Sequence, residues 1–192
     1  MIIGVLALQG AFVEHKLILE HLGVEVVEVR LPENLQGLDG LIIPGGESTT
    51  IGKLAEDYHL IEPLRQFGTS KAVWGTCAGA IFLSKDINRK QPLLRLMDIS
   101  IARNAFGRQV DSFETDINVP CLERDNENNS PFHAVFIRAP LIEVVKGQAN
   151  PLASLPDGRI VAAQEGRLLA TSFHPELTED DRFHRYFLEL AK

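Results

Sequence analysis

Between positions 72 and 83 the chain reads Ala-Val-Trp-Gly-Thr-Cys-Ala-Gly-Ala-Ile-Phe-Leu, and this stretch restricts the fold more than any other. An apolar run, then Gly75-x-Cys77-x-Gly79, then residues able to continue as helix describe a strand that turns sharply into a helix, with Cys77 at the tip. The two glycines let the backbone cross without Cβ collisions. A thiol held there points at the positive end of the following helix, which favours thiolate and makes sulfur a nucleophile near neutral pH. A lone cysteine after a strand is more often a small buried hydrophobe. The flanking glycines shift the balance toward a nucleophile.

The surrounding sequence has the alternation that such a turn requires. Apolar runs at 2–8, 25–29, 41–43 and 72–74 alternate with helical patterns at 12–22, 51–55 and 60–67, which predicts βαβ units and a parallel sheet covered by helices. Phe12, Val13, Leu17, Leu19 and Leu22 are expected to form the inner stripe of the first helix, with Gly23 stopping it. Between Asp98 and Ser172 the runs shorten to 99–102, 115–119, 134–137, 160–164 and 168–172, which predicts antiparallel additions and long loops. The polar tract 123–130 is expected to be mobile, since it has little apolar surface to anchor it. A closing helix is predicted with Thr178 as cap and Phe183, Tyr186, Phe187 and Leu190 at helical spacing. The 192 residues are expected to form a single domain, 1–192.

Composition excludes several classes of function. With 19 basic against 26 acidic side chains the net charge is −7, so nucleic acid and anionic lipid are unexpected partners. No apolar run approaches the roughly 20 residues of a membrane span. The start of the chain lacks a basic leader, and with Cys77 and Cys121 as its two cysteines a cytoplasmic location is expected.

A second chemical element lies near the other end, where the strand-like run 168–173 leads into His174-Pro175-Glu176. In extended geometry residues two apart project to one side, so His174 and Glu176 can face one crevice. Cysteine, histidine and a carboxylate are what acyl transfer through a thioester needs: a nucleophile, a proton shuttle and an anion to orient the imidazolium. Either motif alone would read as a strand cap or a buried side chain. Together at the ends of parallel-type strands they favour catalysis.

The third element is the glycine turn after 41–43, Pro44-Gly45-Gly46-Glu47-Ser48. A backbone free of side chains can approach a substrate, and the N–H groups of Gly46 and Ala78 would make an oxyanion hole. A phosphate-loop reading of Gly46 to Lys53 fails on spacing and on Leu54, which stands where magnesium needs a hydroxyl. His174-x-Glu176 lacks the cysteine pair of a zinc deaminase, so no metal is expected. Arg103 and Arg138 follow apolar runs and suit bidentate capture of a carboxylate. The other histidines are assigned surface or core duty, with His15 and His21 able to touch a partner.

Pro-Gly-Gly-Glu-Ser, Gly-Thr-Cys-Ala-Gly and Phe-His-Pro-Glu, in this order, resemble a class I glutamine amidotransferase domain. Leu8-Gln9-Gly10, Gly45 to Thr50, Arg103-Asn104-x-Phe106-Gly107-Arg108-Gln109, Phe136 to Pro140 and Ser172 to Thr178 narrow the resemblance to the glutaminase subunits of pyridoxal 5′-phosphate synthase. The resemblance implies a three-layer α/β fold, with a mostly parallel central sheet, helices on both faces and antiparallel additions. It implies Cys77, His174 and Glu176 as triad, and glutamine held by Gly46, Glu47, Ser48, Arg103, Ile137 and Arg138. It implies no cofactor, and a barrel-shaped synthase subunit as the partner that receives ammonia. Free ammonia is wasteful, so the isolated chain is expected to be a poor glutaminase, with Gly45-Gly46 as the peptide that flips on docking. Two other readings stay open: a cysteine amidase or amidotransferase serving a different synthase, and a non-catalytic module that only binds a partner.

Overall fold

The strand β3, Gly40–Ile43, has no polar side chain, because Leu41 and Ile43 enter one apolar cluster and Ile42 another. A sheet covered on both faces demands such uniformly apolar strands. The computed structural model describes residues 1–87, 90–103, 112–125 and 130–192. In it β3 lies between two parallel neighbours, β1 (Ile2–Leu6) and β4 (Ala72–Thr76), with β2 (Glu25–Val29) parallel outside β1. The segment Leu168–Thr171 pairs in parallel on the far side of β4, placing Thr171 opposite Thr76.

Helices fill both layers. On one side Val73, Leu41 and Ile43 pack with Ile51 and Ala55 of α2 (Ser48–Asp57), Leu64 of α3 (Ile61–Gly68) and Phe82 of α4 (Ala78–Leu83). On the other, Ile3, Val5, Ile42 and Trp74 pack with Leu19 of α1 (Phe12–His21) and with Phe183 and Phe187 of the last helix. The expected inner stripe of α1 is corrected here. Val13 and Leu17 are 48% and 60% exposed, whereas His15 and Leu19 are fully buried. Positions 13 and 17 lie about 200° around the helix from 15 and 19. With apolar residues on nearly every side of α1, periodicity could not choose the inner face.

The second half adds the antiparallel pairings, together with one parallel pairing at the far edge of the sheet. β5 (Ser84–Asp86), β6 (Met97–Ala102), β9 (Leu141–Val145), β10 (Asn150–Ser154), β11 (Ile160–Glu165) and β12 (Leu168–Thr171) extend the main sheet to the order β2-β1-β3-β4-β12-β11-β9-β6-β5, with β10 beside β11. β7 (Ser112–Ile117) and β8 (Phe132–Ile137) form a separate antiparallel pair. β5, β9 and β10 carry no alternation strong enough to announce them, and β5 has only three residues. The last helix, α5, runs Arg182–Leu190 and its start corrects the expected cap. Thr178 instead closes a 3₁₀ turn, Pro175–Leu177, where its hydroxyl donates to Pro175 O at 3.1 Å and accepts from Asp180 N at 3.3 Å. The expected mobile tract 123–130 and the motif following Arg103 lie largely outside the described residues. Among the described residues no helix is long and apolar enough to cross a membrane.

Candidate active site

The elbow is built by close backbone approach. A Cβ on Gly79 would stand 1.9 Å from Ile43 O, and one on Gly75 would stand 2.5 Å from Gly79 C and O. Between them Cys77 has φ 48° and ψ −105°, a left-handed backbone that a non-glycine residue adopts at a cost of about 1–3 kcal/mol. Its N–H donates to Thr171 O at 2.8 Å, which pins Cys77 to the end of β12. Cys77 is 7% exposed, reachable from one side. Ala78 opens α4, so its N–H has no intrahelical acceptor and stands beside the sulfur.

His174 and Glu176 meet, but through a turn and not through an extended strand. β12 ends at Thr171, and Pro175–Leu177 curl into the 3₁₀ turn, which brings His174 Nδ1 within 2.7 Å of Glu176 Oε1. His174 N donates to Val135 O at 2.9 Å, so β8 fixes the backbone from which the imidazole projects. Glu176 has a fully buried side chain. Burial disfavours a charged His174, but hydrogen bonds with Cys77 and Glu176 and their negative charges outweigh it and lift the imidazole to about 10. Gly45 makes room for the ring, since a Cβ there would meet His174 Cε1 at 2.5 Å and Cys77 Cβ at 3.4 Å.

These groups open into a cleft of about 490 Å³. Cys77, Ala78 and His174 line it together with Gly46, Glu47, Ser48, Arg103, Ile137 and Arg138. The sequence nominated all of them, and Glu176 lies directly behind His174. Ser48 Oγ is buried with no hydrogen-bond partner among the described residues. Ile137 O lies 4.0 Å from Cys77 Sγ, and Arg138, at φ 43°, turns the chain at the cleft rim. Arg103 is braced on the protein itself, donating to Glu47 Oε1 at 3.1 Å and to Thr49 Oγ1 and Gln91 Oε1 at 3.2 Å each.

Glu47 caps α2 with its own carboxylate, accepting from Thr49 N at 3.1 Å and Thr50 N at 2.7 Å. Partial burial pushes this acid up, yet the Thr49 and Thr50 donors outweigh it and hold the acid at about 2. A depressed acid stabilises the fold above its ordinary pKa and stops doing so as pH falls through the folded value. Glu47→Gln is therefore expected to unfold at a lower temperature than wild type at pH 7, by the equivalent of about 1 kcal/mol or less. The gap should close as pH falls from about 4.5 toward 2. Thermal melts of both proteins across that range decide it, and an unchanged gap would remove the cap from the account.

Two site residues escaped the sequence reading. Gln9, just past β1, accepts from Glu47 N through Oε1 at 2.7 Å, while Ala11 N donates to Gly45 O at 3.0 Å. The loop after β1 thus holds the Gly45-Gly46 strap. Its place at the carboxyl end of a parallel strand was the available signal. His15 is the other: its Nε2 faces Glu176 Oε2 at 3.4 Å from a fully buried position, not from a partner-facing surface.

A doubly covered, mostly parallel sheet with a cysteine elbow and a His–Glu pair at its carboxyl edge defines a three-layer α/β domain of the glutamine amidotransferase class. The chain belongs to the SNO glutamine amidotransferase family, whose model matches residues 5–192. It is 58% identical to the pyridoxal 5′-phosphate synthase subunit PdxT of Herpetosiphon aurantiacus over 99% of this chain and 100% of that one. It is 55% identical to that of Moorella thermoacetica over 99% of each. A crystal structure of a glutamine amidotransferase superposes with a TM-score of 0.91 at 52% identity, covering 98% of both chains. PurLQS of Thermotoga maritima, at 15% identity and a TM-score of 0.70 over 100% of this chain and 98% of that one, shares the fold alone.

Proposed function

We propose that this chain, acting as a single domain, hydrolyses L-glutamine to L-glutamate and ammonia, and that the ammonia passes to a barrel-shaped synthase subunit that makes pyridoxal 5′-phosphate. The observation that carries this reading is the Cys77 elbow beside a His174 ring whose Nδ1 is hydrogen-bonded to a buried carboxylate. Family membership makes glutamine the substrate to test.

In this mechanism Cys77 thiolate attacks the side-chain carboxamide carbon, and the N–H groups of Gly46 and Ala78 receive the oxyanion. His174 gives its proton to the departing nitrogen, so ammonia leaves and the γ-glutamyl thioester remains. The neutral imidazole then takes a proton from water, hydroxide attacks the thioester, and glutamate departs as the thiolate re-forms. Glu176 keeps the imidazole oriented through both halves. The ionised Glu47 suits the α-ammonium of glutamine, Arg138 its α-carboxylate, and the unpartnered Ser48 Oγ offers a further hydrogen bond, with Ile137 closing the rim and Arg103 holding Glu47 in place.

Partner coupling has structural support in the strap. Gly45 O is committed to Ala11 N, so re-aiming an N–H at the oxyanion requires the loop after β1 to yield. That loop leads directly into α1, whose exposed Val13 and Leu17 share one face. Glutamate release is expected to be slow for the isolated chain and to rise at least about tenfold on adding the synthase subunit. Leu17→Asp is expected to abolish the rise and leave the slow rate intact. Equal turnover with and without the partner would remove the coupling, and no glutamate under either condition would remove the glutaminase reading.

A further inference from the structure

Behind Glu176 lie two imidazoles that the chemistry above does not use. His15 of α1 and His184 of α5 are both fully buried, and Nδ1 of His15 is 2.9 Å from Nε2 of His184. Nε2 of His15 faces Glu176 Oε2 at 3.4 Å and Thr76 Oγ1 at 3.3 Å. Trp74 meets both rings edge-on, with centroids 5.6 and 5.0 Å away, so neither ring has room to swing. Polar rings in a layer otherwise filled by Trp74, Phe183 and Phe187 carry a desolvation cost that packing alone does not explain.

Hydrogen-bond counting places the protons. Glu176 Oε2 and His184 Nδ1 are both buried with no well-formed hydrogen bond among the described residues. A carboxylate oxygen only accepts, so a proton on His15 Nε2 gives it a facing donor. A neutral His15 then accepts at Nδ1, and His184 donates from Nε2, leaving its own Nδ1 as a bare acceptor. The opposite tautomers would let His15 Nε2 accept from the Thr76 hydroxyl, but would set its lone pair against Oε2 and strand a buried N–H at His184 Nδ1. That second arrangement is the costlier one. Both rings are neutral: burial drives His15 well below its ordinary value, with the charges of His184 and His174 adding to it, and burial takes His184 to about 4 against the pull of Asp181.

We infer that His15, held in one tautomer by His184, is a positioning residue for the triad, presenting its Nε2–H to Glu176 Oε2 so that the carboxylate stays turned toward His174. The inference rests on the triad reading proposed above. The 3.4 Å separation is longer than the roughly 2.7–2.9 Å of a charge-assisted bond, and catalytic contacts of this kind tighten when substrate is bound. When His174 hands its proton to the leaving group, Glu176 loses its counter-charge, and the His15 N–H is the donor that remains. The charged and titratable groups around this network are Glu176 and His174 on the turn, Asp181 before α5 and Cys77 at the elbow.

The test compares His15→Leu, which removes the donor, with His15→Gln, whose amide keeps a donor at similar reach. The full chain, labelled with nitrogen-15 histidine, is titrated by NMR and assayed for glutamate release with the synthase subunit. In His15→Leu, His174 is expected to lose its proton about one unit lower than in wild type, with kcat down about tenfold and KM within about twofold. His15→Gln is expected to recover most of both losses. A folded His15→Leu with wild-type titration and kcat would overturn the proposal, as would a folded His15→Gln as impaired as His15→Leu. Should the His15 variants fail to fold, His184→Phe keeps the ring volume and removes the donor to His15; an unshifted His174 there also overturns it. A wild-type chain that released no glutamate would defeat the glutaminase reading alone, since the titration still reads the contact.

Discussion

Cys77→Ala is expected to lower glutamine turnover by about 10⁴-fold or more, measured with the synthase subunit present, without unfolding the chain. The sulfur is the only group at the elbow that can bond to the amide carbon in the proposed mechanism, and removing a nucleophile from an acyl-transfer site leaves only binding and oxyanion stabilisation behind. Alanine keeps the left-handed backbone of position 77, and beyond its interaction with His174 the Cys77 sulfur makes a long contact with Ile137 O at 4.0 Å, so little packing is lost. Wild type should also gain the mass of a glutamine-analogue electrophile at Cys77, blocked by excess glutamine, and the variant should gain none. Appreciable turnover in the alanine variant would sink the thioester mechanism.

The parts of this site that were legible from sequence are those made by short-range geometry. Gly75 and Gly79 fix a crossing within five residues, and His174 and Glu176 meet within three, so the motifs carried their own structure. Even there the local conformation differed, because Pro175 opens a 3₁₀ turn where an extended strand was expected. What escaped depends on chain segments far apart. His15 reaches Glu176 across the whole domain, and nothing in the spacing of α1 distinguishes its face from that of Val13 and Leu17. The strands β9 and β10 are half exposed and irregularly paired, with bulges between β10 and β11, so they lack the period-two signal of β6 or β8. The parallel core needed no such signal, since burial on both faces wrote it as uninterrupted apolar runs.

The largest stability effect is expected at Gly79→Ala, and its size follows from what the added methyl would meet. Its position lies 1.9 Å from Ile43 O and 2.7 Å from Ile43 C, both backbone atoms with no rotamer to relieve the overlap. β3 cannot retreat, because it is hydrogen-bonded on one side to β1 and on the other to β4, where Ile43 pairs with Gly75. Moving α4 outward instead would drag Ala78 and Cys77 off the end of β12. The cost is expected at about 3 kcal/mol or more, a large fraction of the 5–15 kcal/mol that holds a typical domain together. For a chain of this size that lowers the melting temperature by roughly 6–12 °C or more. Gly23→Ala supplies the control. Its φ of 75° strains any side chain but its Cβ meets nothing within 4 Å, so it is expected to cost about 1 kcal/mol and leave activity unchanged. Denaturant unfolding of the two variants beside wild type separates steric collision from backbone strain. Equal losses would show that the elbow gives way more easily than its backbone contacts imply, whereas a threefold gap ties the tight crossing at Cys77 to the stability of the whole sheet.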